Sequence, residues 1–141
     1  MQVELNPAWN EIFTKYFFPE AKVFITQFIT VITAVLVLSI AFADKIVDLR
    51  NADKATRIGM VAIWCFLLLA LATCGAAYWF FASAGLYVIQ NVLDYATIRD
   101  YLIYAMWSLR CAAVCFLIGL TLLVTIAARS ILSTKIETKS N

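Results

Sequence analysis

Apolar residues run without a charge from Val23 to Ala43, 21 positions, and again from Ile58 to Leu93, 36 positions. At about 1.5 Å per helical residue the first run reaches roughly 30 Å, the thickness of a hydrocarbon core. It predicts a membrane-spanning helix. The second run is longer than one crossing needs. Its dense part, Ile58 to Phe81, fills a bilayer, and Tyr78, Trp79, Phe80 and Phe81 supply rings that favour headgroup level. Ser83-Ala84-Gly85 then offers a place for a bend. Leu86 to Ile98 holds Gln90, Asn91 and Asp94, with Arg99 beside it, groups that are costly in lipid. That piece reads as a surface or short re-entrant helix.

Thr97-Ile98-Arg99-Asp100 fits a loose capping pattern ahead of a third span, Tyr101 to Ala128. Arg110 interrupts this span. From Cys111 to Ala128, however, 18 residues remain, and about 27 Å of helix nearly crosses the core without help. Arg110 can then sit at the rim and snorkel into the headgroups beside Tyr101, Tyr104 and Trp107. The alternatives are an ion pair with Asp94 or Asp100, or a charged ring at a pore mouth.

Ahead of the first span, Asn6-Pro7 has the form of an N-cap followed by proline at the first helical position. Trp9, Ile12, Phe13, Tyr16 and Phe17 recur at helical spacing opposite Asn10, Glu11 and Lys15, which predicts an amphipathic helix in the interface plane, the alternative being a helix bound to a partner or packed on the bundle. Pro19 is expected to end it. Between the first two spans, Asp44, Lys45, Asp48 and Arg50 extend one helix, and Asp53, Lys54 and Arg57 open the next, with Asp53 as N-cap. A tight, mixed-charge hairpin around Asn51-Ala52 follows, solvated or docked on a cytoplasmic partner.

These elements define an all-α, multi-pass transmembrane helical bundle in one domain, 1–141. The expected order is an interfacial helix at 6–18, a first span with cytoplasmic extension at 20–50, and a second span at 53–82. A surface or re-entrant helix at 86–96, a third span at 98–132 and a polar tail at 133–141 complete it.

Composition agrees with a lipid solvent. Of 141 residues 64% are apolar and 14% charged, with a mean hydropathy of +0.88; soluble domains carry about 45–50% and about 25%. A soluble globule of this size buries only about two-thirds of its unfolded surface and could not hide the excess. The net charge of +2 makes no case for a nucleic-acid partner. The first apolar run is too long for a signal-peptide core and reads as an uncleaved anchor. Seven Lys and Arg fall in the first loop and the C-terminal tail, against Lys15, Lys22 and Arg99 on the other side, with Arg110 at that rim. This bias favours an outside N-terminus and a cytoplasmic C-terminus.

Helices in lipid associate through small residues and shared hydrogen bonds. Ser108, Ala112, Cys115 and Gly119 form one such seam on the third span. Ala72, Gly75, Ala76 and Ser83 offer a matching face on the second. On the first span Thr26, Thr30 and Thr33 share a face with Gln27 beside them. A threonine hydroxyl bonds back to the carbonyl one turn earlier, whereas the Gln27 amide wants a partner helix, water in an oligomeric pore, or a substrate.

Candidate chemistry is sparse. Cys65, Cys74, Cys111 and Cys115 all lie in apolar stretches and read as small packing residues. The chain has no histidine, and its carboxylates sit in tails, loops or helix ends. No phosphate loop, nucleophile elbow or lipidation motif is present. No catalytic, cofactor-binding or metal-ligating residue is expected, and the chain reads as non-enzymatic. Three helices enclose no channel, and there is no selectivity-filter motif or internal repeat with broken helices. Two function classes remain: a homo-oligomer that forms a pore or perturbs the membrane, and an accessory or anchoring subunit bound to a larger protein. Three apolar helices behind an aromatic lead-in are similar in style to many small bacterial membrane proteins. That likeness implies an inner-membrane location and carries over no functional residue.

Overall fold

The computed structural model describes residues 11–45, 53–89 and 95–140. Expectations resting on Asn6-Pro7, on the hairpin tip at Asn51-Ala52, and on Gln90, Asn91 and Asp94 lie outside them. Among the described residues all regular structure is helical. A π-helical segment, Phe13–Phe17, runs into α1 (Phe18–Lys45), followed by α2 (Lys54–Ile89) and α3 (Tyr95–Ser140). Phe13–Ala43, Lys54–Val88 and Ala96–Ser130 are long and apolar enough to cross a membrane, which suggests a membrane location.

The β-branched residues that crowd α1, from Val23 to Ile40, are mediocre helix formers in water. Lipid removes the alternative. With no water to bond the peptide groups, a helix that satisfies every N–H internally is the available spanning form. The outward faces match this solvent, since Val37 is 60% and Val124 61% exposed. α2 begins where expected: Asp53 caps it, its Oδ1 accepting the Thr56 N–H at 3.1 Å and its carbonyl the Arg57 N–H at 3.2 Å.

Three boundaries differ from the sequence reading. Pro19 does not end a separate helix, because the chain stays helical from the π-helical segment through α1. Proline lacks an N–H and its ring crowds the carbonyl four residues back. The wider turn just before it, in which the Phe18 N–H bonds the Phe13 carbonyl, absorbs both problems. Ser83-Ala84-Gly85 does not interrupt the helix, and α2 continues through it to Ile89, so no separate surface or re-entrant helix begins at residue 86. Thr97 does not cap α3, which already starts at Tyr95.

The chain divides into two compact units. The first, Met1–Thr30 with Ala72–Cys111, is packed by rings. Phe81, 6% exposed, stacks on Phe18 at 5.2 Å and meets Phe17 at 6.0 Å and Phe13 at 6.4 Å. Phe80 sits 5.7 Å from Tyr104, and Tyr87 stacks on Tyr101 at 5.5 Å.

The second unit, Val31–Leu71 with Ala112–Asn141, is packed by aliphatic side chains. Ala43, Met60, Ile63 and Leu67 form its buried centre, with Leu36, Trp64, Phe116 and Ile126 among those packed against it. Gly59 and Gly119 permit the close approaches: a Cβ at 119 would lie 3.2 Å from Leu67 Cδ2, and one at 59 would press on Ile126.

Candidate functional site

The four polar positions singled out on α1 face away from its buried side. Ile25, Ile32, Ser39 and Ala43 are buried, whereas Thr26, Gln27, Thr30 and Thr33 are exposed. Two of the hydroxyls are satisfied locally, Thr26 donating to the Lys22 carbonyl and Thr30 to the Thr26 carbonyl, each at 2.9 Å. Gln27 cannot bond its own helix in this way. Its amide has no hydrogen-bond partner among the described residues, and it lines a shallow apolar groove with Pro19, Glu20, Val23 and Phe24.

The small residues divide between two roles. On α3, Ala112 and Gly119 are buried and Ser108 and Cys115 half-buried. On α2, Ala72 and Gly75 are exposed, Ala76 and Ser83 are half-buried, and a Cβ at Gly75 would meet open space. The buried stripe of α2 is instead Met60, Ile63, Leu67, Ala70, Cys74, Ala77, Phe81 and Ala84. Its alternating steps of three and four are the repeat that keeps one stripe against neighbouring helices.

Arg110 is exposed, with its guanidinium carbon 5.4 Å from the Trp107 ring centroid. Stacking over an indole suits a cation at the lipid–water boundary. Asp100, one suggested ion-pair partner for it, sits 3.5 Å from Arg99 instead, between two largely exposed side chains. Such a pair contributes little to stability.

The four cysteines are free thiols, Cys74 buried, Cys115 half-buried, and Cys65 and Cys111 exposed. Among the described residues no three Cys, Asp or Glu side chains gather as a metal site would require. One polar interaction escaped the sequence reading. Trp64 Nε1–H donates to Ser39 Oγ at 3.2 Å, linking α1 to α2 inside the apolar unit. Its only signal was a lone serine on the seven-residue buried stripe Ile25, Ile32, Ser39.

No protein-family model matches the chain, and no curated protein or solved structure is significantly similar to it. Any functional reading stands on the residues themselves.

Proposed function

We propose that this chain is a non-enzymatic membrane protein that assembles with copies of itself, turning the Gln27 side of α1 toward the centre of the assembly. There the Thr26, Gln27, Thr30 and Thr33 face lines a pore or a membrane-perturbing surface. The observation that carries the reading is the exposed Gln27 amide, which has no intramolecular partner among the described residues. A primary amide unpaired in hydrocarbon loses roughly 2–7 kcal/mol of interaction relative to water. A second copy, or water held between copies, removes that penalty. Three helices enclose no path, so closed symmetry among several chains is required. Charge bias supports an outside N-terminus and a cytoplasmic C-terminus in a bacterial inner membrane.

A second reading, an accessory subunit on a larger membrane protein, draws on the outward Ala72 and Gly75 and on Trp79, 68% exposed beside them. Small outward residues let a foreign helix approach closely. Light scattering in mild detergent separates the two. The proposal expects a discrete homo-oligomer, dissociated by Gln27→Leu and retained by Gln27→Asn, with any conductance in planar bilayers following the same order. A monomeric wild-type chain, or an oligomer indifferent to Gln27→Leu, overturns it.

A further inference from the structure

A groove of about 290 Å3 opens within the ring-packed unit, between α1 and α2. Phe18 and Phe81 line it as a stacked pair. Ala82 and Gly85 complete the wall, and the missing Cβ at Gly85 lets the Phe18 ring pack against α2. It reaches the surface at Tyr78 and Leu86, 36% and 58% exposed. The charged group in its lining is Lys22.

We propose that this groove binds one anionic phospholipid, its phosphate on the Lys22 ammonium and an acyl chain along the Phe18, Phe81 and Ala82 wall. Several observations converge on that occupant. Lys22 is the last charge before the first apolar run, and Tyr78 opens the aromatic cluster of the second span. Lys22 therefore belongs at headgroup level, with Tyr78 on the hydrocarbon side of it. Helical side chains lean toward the helix N-terminus, so Lys22 extends toward the level of Phe18 and away from the hydrocarbon. A phosphate held there leaves the chain to descend past Ala82 and Tyr78 into the bilayer.

An apolar groove facing lipid is not left empty, because its walls would lose their dispersion contacts. An acyl chain is the material at hand. Charge then selects the headgroup. Among the described residues no carboxylate pairs with Lys22, and the nearby Glu20 lines the separate groove beside Gln27.

The test compares spin-labelled phosphatidylglycerol with spin-labelled phosphatidylcholine on the full-length chain in vesicles. A lysine near an anionic headgroup corresponds to roughly five-fold preference, expected for wild type and for Lys22→Arg. Lys22→Gln is expected to abolish it, Arg110→Gln to leave it unchanged, and Ala82→Leu to reduce the immobilised fraction of both lipids. Lys22 and Ala82 are not fully buried, and far-UV circular dichroism confirms that each variant remains helical. Equal binding of the two lipids by wild type overturns the proposal. So does a preference that survives Lys22→Gln or is lost with Arg110→Gln, which is the signature of general interfacial charge. An immobilised fraction untouched by Ala82→Leu, or one displaced by self-association of the chain, overturns it too.

Discussion

Ser39 and Trp64 are joined by a hydrogen bond inside the aliphatic unit: the indole Nε1–H donates to Oγ at 3.2 Å, and Oγ donates onward to the Leu36 carbonyl at 2.7 Å. A hydroxyl has one proton and two lone pairs, so both bonds form together. Ser39 is fully buried and Trp64 half-buried. Ser39→Ala should therefore destabilise the fold by about 0.6 kcal/mol, the average for interhelical hydrogen bonds in membranes, whose maximum is about 1.7 kcal/mol. Reversible unfolding in mixed micelles measures it. Once Trp64→Phe has removed the donor, adding Ser39→Ala should change little; two fully additive losses would mean that the bond contributes nothing.

Gly119 and Gly75 make a paired contrast. A Cβ at 119 meets Leu67 Cδ2 at 3.2 Å, Leu67 Cγ at 3.3 Å and Phe66 Cβ at 3.5 Å, whereas one at 75 meets nothing within 4 Å. Gly119→Leu should cost about 1–3 kcal/mol through overpacking, read from the same unfolding titration. Gly75→Leu should leave that titration unchanged or slightly improved, because a helical glycine is a poorer helix former than leucine. Equal penalties at the two positions would place Gly75 in a packed interface.

The three helices long and apolar enough to cross a membrane are legible in sequence, because long charge-free runs are visible whatever packs against what. The Asp53 cap is legible for an equally local reason. Faces are harder to read. Between Ile58 and Phe81 nearly every residue of α2 is apolar, so hydropathy does not distinguish the lipid side from the bundle side. Burial in the folded chain, at Met60, Ile63, Leu67 and Ala70, is what marks the inner stripe. Gly85 and Pro19 mislead in another way. Each reads as a break, yet Gly85 makes room for the Phe18 ring and Pro19 is absorbed by the π-helical turn before it. Both depend on contacts distant in sequence or on a register shift that residue type does not encode.

Phe81 is the centre of the ring cluster, with Phe18 at 5.2 Å, Phe17 at 6.0 Å and Phe13 at 6.4 Å. Aromatic pairs contribute about 0.5–1.5 kcal/mol each beyond area burial. Phe81→Leu keeps an apolar side chain and removes these pairs, so it should lower stability and free the N-terminal turn. Hydrogen exchange should quicken at the amides of Phe13 to Phe18 while those of Met60 to Leu67 hold their wild-type rates. Uniform acceleration would mean that the cluster supports the whole chain rather than its own unit.

Asp53 supplies a pH dependence. Its Oδ1 accepts the Thr56 N–H at 3.1 Å, and hydrogen bonding to Thr56 holds the carboxyl below the ordinary aspartate value. The Thr56 N–H is one of the first-turn donors that a helix cannot satisfy internally. A folded pKa below the unfolded one means that the folded chain favours the charged form. The stabilisation is therefore complete above the unfolded value of about 3.9 and is lost as pH falls through the folded one. Amide exchange at Lys54 to Arg57, corrected for intrinsic rates, should show strong protection at neutral pH and weaker protection near pH 3. Asp53→Asn retains an oxygen acceptor and should show protection that no longer changes across that interval. Asp53→Ala should fray the turn at every pH. If wild type and Asp53→Asn lose protection in parallel on acidification, another group controls the start of α2.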